Sequence, residues 1–498
     1  MIRRRTFLGG GLALAGLGLA AGQASAAGPD WARLRTHLTG DLVLPGDAAY
    51  PVAKQLDSGY FDTISPQGVA YCETVGDVRT VLAFAQHNDL HVAVRSGGHN
   101  AAGWSTTTGL VLDTSRLRGL AVGASTVSFG PGTHGVDAVG ALSGQGLAVV
   151  TGSCPTVCAG GYIQGGGFGP LSRKHGMACD RLVSAEVVLA NGSVVRADAG
   201  TNPDLYWALR GGGGGNFGVV TRFEVRPIQV TRLPNFLLTW PFDAAPSVIA
   251  AYQDWMAVAP DDLEANVTVL QAGPSPTVML SGTWQGGDPA DLAPYLDALA
   301  SEVGVVPLSR MVTDLSYRDA MMRTFGCADK TTEQCHRVGD NPEALLPRHS
   351  YGVGRGRMIG TALSPAAVDE ALTAFAAPGA TGQFKVLNLS WLAGRVNRAP
   401  RTATAYVHRN TLAILGFTAT LPTNTPTPDQ EAAVATWTGA GMAVADRHGN
   451  GENYQNTVDP RLTDWRSAYY KENYPRLVRV KRCYDPAVFF RFPQAVGA

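Results

Sequence analysis

The sequence predicts an α+β protein in more than one domain, and three observations carry that prediction. A chain of 498 residues is too long for a single ordinary domain and long enough for two or three cores. Between residues 45 and 230 it runs in short β-branched stretches separated by glycine-rich turns. Between 231 and 440 the strands lengthen and alternate, with helical segments among them, the texture of an antiparallel sheet covered by helices. Lys+Arg and Asp+Glu both number 40, so no net charge argues for nucleic acid or a membrane surface. Glycine stands at 60 residues, about 12% against a usual ~7%, in short blocks and not in a repeat, which points to loops of special backbone geometry.

From the N-terminus, residues 1–26 have the layout of an export signal. Arg3, Arg4 and Arg5 precede an apolar stretch from Phe7 to Ala21 that is too short to span a bilayer, and Ala24-Ser25-Ala26 offers a cleavage site. The start "RRTFL" is similar to a twin-arginine signal, whose route carries folded proteins. The expected mature chain begins near Ala27, is secreted and keeps no membrane segment, in a setting that permits disulfides. In the first domain, 45–230, the runs "GLVLDTS", "STVSFGPG", "SAEVVLANGSVVRA" and "GVVTRFEV" read as strands, and "LHVAVRS" as a half-buried one. Its helices are "VGDVRTVLAFAQHN" and "PDLYWALRGG", the second stopping at Gly211. In the second domain, 231–440, "NFLLTWPF", "ANVTVLQA", "TVMLSGTWQG", "FKVLNLSWLAG" and "TLAILGFTAT" are strands, and "PSVIAAYQDWMAVA" and "PAAVDEALTAFAA" are helices. The remainder, 441–498, ends in "DWRSAYYKENYPRLVRVKRCYDPAVFF", a helix and an extended tail expected to close back on the first domain.

Two stretches carry candidate chemistry. In "VRSGGHNAAGWS", residues 94–105, His99 follows directly on a strand and a Ser-Gly-Gly turn. Gly97 and Gly98 permit positive φ, and successive glycine N–H groups form a concavity suited to phosphate oxygens. Taken alone, the same residues describe a tight turn with a hydrogen-bonded histidine. In "GSCPTVCAGGYIQGGGFGPLSRKHGMACD", residues 152–180, Cys154, Cys158, His175 and Cys179 have spacings a zinc ion accepts. The ligand pairs flank a glycine run rather than tight knuckles, so no metal is expected there, and a Cys158–Cys179 disulfide is the stronger structural alternative. Seven cysteines leave at least one unpaired, and Cys327 with Cys335 are placed for a local disulfide.

Taken together, "RSGGH", "GSCPTV…GG…GGGFG", "PDLYWALRGGGGGNFGVVTRFEV" and "YYKENYPRLVRVKRCYDPAVFF" resemble the berberine-bridge-enzyme-like flavoproteins of the vanillyl-alcohol-oxidase group, in the family's order and across nearly the whole mature chain. The resemblance implies a two-part FAD-binding domain of PCMH type and a separate substrate domain. It implies FAD bound bicovalently, through His99 to the 8α-methyl and through Cys154 to C6 of the flavin. Cys158 stands where the family usually has glycine, which keeps it open as a rival tether. Arg95, Ser96, Gly97, Gly98, Val157, Gly160, Gly161 and Asn456 are the further cofactor-binding candidates. Imidazole and thiolate are the nucleophiles able to make such links.

The block "NGENYQNTVDP" resembles the family's Y-x-N element, which makes Tyr454 the candidate catalytic base for proton removal during hydride transfer to flavin N5. A free phenol titrates near 10, so a neighbour has to lower its pKa or accept the proton in concert. Phe168 replaces a tyrosine found in some plant members, and Gly416 stands near the place of a polar strand residue, so a second catalytic group is absent or comes from elsewhere. His408 matches a structural position, and Asn388 and Ser390 share one strand face as further candidates. Val157 leaves an oxygen route open, as in family oxidases. The expected activity is oxidation of a hydroxyl on a sugar, oligosaccharide or hydroxylated natural product, with O2 as acceptor and H2O2 as product, by a monomer. Oxidative cyclisation of a secondary metabolite is the alternative, and a secreted binding protein without turnover is a third.

Overall fold

The computed structural model describes residues 28–273 and 275–498, and the export segment read at 1–26 lies outside the described residues. The N-terminal lobe holds two larger sheets and a two-stranded ladder of Leu147–Ala148 with Ile228–Gln229. The first is four-stranded in the order Leu42–Val43, Gly68–Tyr71, Leu110–Asp113, Val92–Arg95, with the last three parallel. Helix Val75–His87 connects two of them; it opens on a reciprocal cap in which Thr74 accepts from Asp77 N–H and Asp77 accepts from Thr74 N–H. Strand Val92–Arg95 differs from the half-buried strand expected, since Val92, Ala93 and Arg95 are all buried. Parallel sheets are covered on both faces: here Leu110 and Leu112 pack with the helix, while Val69 and Val111 pack with Tyr50 and Ala53.

The second sheet is antiparallel, in the order Ala121–Val122, Val127–Phe129, Val219–Val225, Leu182–Val188, Val194–Asp198. In "VVTRFEV" Phe223 and Val225 are buried, whereas Arg222 and Glu224 turn outward, the alternation that the sequence shows.

The second lobe is one seven-stranded antiparallel sheet, ordered Ser309–Thr313, Asn235–Pro241, Thr277–Trp284, Leu263–Gln271, Phe384–Trp391, Ala413–Thr420, Gly352–Ile359. Its apolar face, with Phe236, Leu238, Val267, Leu280, Leu387 and Leu415, forms one core with helices Ala245–Val258, Ala293–Val303, Pro365–Ala376 and Pro428–His448. The period of two then sends the intervening residues to the opposite face, toward the N-terminal lobe. Cys327 and Cys335 form the local disulfide, closing a loop that returns to the first lobe through Arg348–Asp62 and His349–Asp57 pairs.

The terminal helix read as continuous is broken into Trp465–Tyr470 and Tyr474–Tyr484, with Lys471 at a φ of 43° between them. Pro475 explains the break, because it cannot donate in a helix interior but is well placed in a first turn. The tail beyond runs back over the first lobe, where Phe490 joins the core of the parallel sheet. Lys481 is 1% exposed and fully satisfied, donating to Asn216 O at 2.6 Å, Phe490 O at 2.6 Å and Asp485 at 2.7 Å. Among the described residues no helix is long and apolar enough to cross a membrane.

Candidate active site

A cavity of about 970 Å3 opens where the two lobes and the C-terminal segment meet. Its walls come from the turn carrying His99, the turn carrying Cys154, the glycines 213–215, the polar face of the seven-stranded sheet, and Tyr454 with its neighbours.

The two turns are packed into each other. A Cβ at Gly97 would stand 2.9 Å from Thr156 O and 3.0 Å from Cys158 Sγ, so glycine is what lets them meet. Across that contact His99 Nε2 lies 2.9 Å from Thr156 Oγ1, and His99 Nδ1 lies 3.4 Å from Asp57 Oδ2. Burial lowers the His99 pKa to about 4 against the opposing pull of Asp57, so the ring is neutral and nucleophilic at ordinary pH. Burial pushes the Asp57 carboxyl up, yet its 2.6 Å bond to His349 and the nearby imidazole charges outweigh that and leave it below its ordinary value. The Cys154 thiol is exposed on the cavity, while the surrounding protein and the Asp57 charge hold its pKa above the usual range. Cys158 is buried, its Sγ is 3.4 Å from Gly132 O, and burial raises its thiol far above the usual range.

Tyr454 lines the cavity and is otherwise 3% exposed. Its phenolic oxygen accepts from Gly167 N–H at 2.8 Å and from Asn456 Nδ2 at 2.8 Å. With both acceptor positions filled, the hydroxyl proton is directed away from these donors. Burial raises this phenol, and the two donors work in the other direction by stabilising the anion. Asn456 is itself held by Tyr162 O at 2.9 Å.

The opposite wall is ordered by strand register. Asn235 pairs with Thr283 and Thr283 with Glu264, forming one row; Ser281, Asn266 and Ser390 form the next. All six residues line the cavity. Asn235 Oδ1 is buried without a partner, and Asn388 Nδ2 donates to Ser390 Oγ at 3.1 Å. Glu264 is the one acid in these rows: burial raises its pKa to about 8, with Arg173 pulling the other way.

A family model described as FAD binding domain matches residues 66–198, and one described as berberine and berberine like matches 453–497. The uncharacterized FAD-linked oxidoreductase YgaK of Bacillus subtilis is 27% identical over 471 residues, 93% of this chain and 98% of that protein. The chain is an FAD-linked oxidoreductase with a berberine-like C-terminal segment. Its fold is shared with BBE-like 1 of Physcomitrella patens, at a TM-score of 0.83 with 23% identity, covering 93% of this chain and 98% of the other. It is shared equally with a glucooligosaccharide oxidase of Acremonium strictum, described as holding a 6-S-cysteinyl, 8α-N1-histidyl FAD, at a TM-score of 0.81 with 21% identity, covering 92% and 97% of the two chains.

The residues of this flavoprotein fit an FAD. A Cβ at Gly161 would meet no atom within 4 Å, so space lies open over the helix Ala159–Gln164. Tyr162 Oη, Gln164 Oε1, Gln455 Oε1 and Gln494 Oε1 are buried without partners, and all four residues line the same cavity. Ser96, Gly97, Gly98, His99, Cys154, Val157, Gly160, Gly161, Tyr454 and Asn456 line it together.

Arg95, proposed from the sequence as a cofactor contact, does not line it. Its guanidinium is buried in an ion pair with Asp113 and donates to Ala53 O at 2.8 Å, so it supports the turn from behind. The zinc set does not assemble either: Cys154 is exposed, Cys158 bonds Gly132, and neither they nor His175 and Cys179 form a ligand group among the described residues. Cys158 and Cys179 are both free thiols, so their disulfide is not formed. His408 is entirely buried on Glu452 at 2.6 Å, a structural pair. Glu264 is the residue sequence reasoning missed; its only signal was a carboxylate on the alternate phase of the strand "LEANVTV".

Proposed function

We propose that this flavoprotein is an oxidase that carries FAD on two covalent links, through His99 and Cys154, and oxidises a hydroxyl group of a sugar or a hydroxylated natural product, with O2 as acceptor and H2O2 as product. The observation that carries this reading is the polar wall opposite Tyr454: two rows of amide and hydroxyl side chains with one carboxyl, facing a roomy cavity. Such a wall matches a substrate rich in hydroxyls. It is also in keeping with the name of the Acremonium relative, a glucooligosaccharide oxidase.

FAD, when bound, supplies the two-electron oxidant. The chain supplies the rest. His99, neutral because it is buried, and Cys154, exposed on the cavity, are the two nucleophiles available for the links, and the inert Cys158 is not. Tyr454 serves as the base in its phenolate form. Burial raises the phenol, and Gly167 N–H and Asn456 Nδ2 offset part of that rise by stabilising the anion; once its own proton has passed to solvent, Oη takes the proton of the substrate hydroxyl. Glu264 holds its proton at neutral pH and hydrogen-bonds a substrate hydroxyl from the facing wall. Val157, lining the cavity beside the Cys154 turn, leaves a route for oxygen. The Arg3–Arg5 start and the short apolar run after it support export of the folded, loaded protein, and the Cys327–Cys335 disulfide suits an oxidising compartment.

The test is a screen of mono- and oligosaccharides and hydroxylated metabolites with a peroxide readout, followed by product mass. Loss of two hydrogens to a carbonyl supports the proposal. Loss of two hydrogens with a new ring and no carbonyl identifies an oxidative cyclase instead.

A further inference from the structure

Behind the cysteine turn, away from the cavity, three side chains from distant parts of the chain converge. His134 precedes the helix Gly135–Ser143, Asp137 lies in its first turn, and His336 follows the disulfide cysteine Cys335. His336 Nε2 is 3.0 Å from Asp137 Oδ1, and His134 Nδ1 is 3.3 Å from Asp137 Oδ2. The three donor atoms lie within 4.8 Å of one another. Both imidazoles are 4% exposed, whereas Asp137 is half-buried and gives a path from solvent.

The outer partners already orient the rings. His336 Nδ1 is 2.8 Å from the Thr332 carbonyl, which fixes a proton on that nitrogen and makes Nε2 the nitrogen turned to Asp137, where a metal ion would displace the proton shared with the carboxylate. On His134, Nε2 faces Asp340 Oδ2 at 3.9 Å, so Nδ1 is the nitrogen presented inward. Two imidazole nitrogens and a carboxylate oxygen, with a fourth position for water, is a ligand set that zinc accepts. Bonds of ~2.0–2.1 Å in a tetrahedron place neighbouring ligand atoms about 3.3 Å apart. The histidines approach different oxygens of Asp137, and with all three donors within 4.8 Å a small rotation of the carboxylate would bring them onto one ion.

We propose that His134, Asp137 and His336 bind one divalent transition-metal ion of the zinc type, and that this ion fastens the 327–346 loop to the first lobe beneath the Cys154 turn. The site touches that turn directly. Gly135 N–H donates to Val157 O at 3.0 Å, Val136 N–H donates to Pro155 O at 3.0 Å, and His134 and Cys158 form a β-bridge. A bound ion would thus stiffen both the loop and the backbone that presents Cys154.

The test uses the flavin-loaded protein, stripped with EDTA, desalted, and titrated with zinc sulfate. The expected result is one zinc per chain retained through gel filtration, at micromolar affinity or tighter, with a higher Tm and slower tryptic cleavage after Arg337. Asp137→Asn and His336→Gln should each weaken zinc binding at least tenfold while the flavin absorbance spectrum stays that of the parent. Should His336→Gln fail to fold, Asp137→Asn at the half-exposed position carries the test, together with the visible bands of Co2+ added in place of zinc. No retained zinc in the parent, or equal retention in parent and Asp137→Asn, would overturn the proposal in favour of a carboxylate bridging two imidazoles through protons alone.

Discussion

Replacing Tyr454 by phenylalanine removes one oxygen and keeps the ring that packs on Phe168 at 5.3 Å. That oxygen accepts two bonds, from Gly167 N–H and Asn456 Nδ2, both at 2.8 Å. The Asn456 amide keeps Tyr162 O at 2.9 Å, but Gly167 N–H is left with no partner in a buried place. One stranded donor costs about 1–3 kcal/mol, so a fall of a few degrees in Tm is expected rather than an unchanged protein. The catalytic loss is separate and larger. A positioned acid–base group contributes about 10²- to 10⁴-fold, equivalent to ~3–5 kcal/mol in the transition state. In anaerobic stopped-flow, reduction of the bound flavin by substrate should slow by about 10²-fold or more, while reoxidation by oxygen stays near that of the parent. Well below Tm the stability loss leaves the rate untouched, so the two effects are read independently. Flavin reduction within a few-fold of the parent would refute Tyr454 as the proton acceptor and turn attention to Glu264, then to Asn388 and Ser390.

Glu264 yields a pH prediction. The unfolded chain gives up this proton near 4.5 and the folded chain near 8, so parent stability should decline across that interval. Glu264→Gln lacks the decline and should be the more stable protein above pH 8 in Tm measurements; parallel Tm curves would contradict the burial described. Cys154→Ala should leave a single flavin link and Cys158→Ala both, measured as flavin retained on the peptide after acid precipitation and proteolysis. The reverse pattern would make Cys158 the tether. Val157→Leu should slow reoxidation by air without slowing substrate reduction, and equal stopped-flow reoxidation traces would remove Val157 from the oxygen route.

Much of this architecture is legible in the sequence, for reasons that differ from place to place. The strands around 235–241, 263–271 and 384–391 announce themselves because one face is buried, and burial of one face imposes a period of two. His99, Cys154 and Tyr454 are findable because each sits in a short motif whose glycines or asparagine travel with it. Glu264 was not, because its meaning comes from Thr283 and Asn235, which reach it only through strand register. The glycine run 165–167 shows a related limit. Glycine announces a close approach without naming what approaches: a Cβ at Gly165 would stand 1.7 Å from Asn456 Oδ1, and one at Gly166 2.9 Å from the Tyr406 ring, so these residues make room for protein. Arg95 lies beside the cofactor turn in sequence yet points the other way, because the strand alternation sends it to Asp113.

The grip of Lys481 on Asn216, and the seat of Phe490 in the parallel sheet, set an order of events during synthesis. Strands made from residues 68–113 have part of their covering supplied by a segment some 380 residues further on, which at ~5–20 residues per second emerges about 20–80 s later. Through that interval the nascent lobe carries an uncovered apolar end, and the cavity lacks the Tyr454 wall and its C-terminal rim. Flavin loading is expected only once the C-terminal segment has docked, and a chain truncated before residue 454 should keep most of its mass but lack the Tyr454 wall of the cavity. With no net charge to keep such an intermediate apart from its neighbours, expression of the folded chain should rise with chaperone supply.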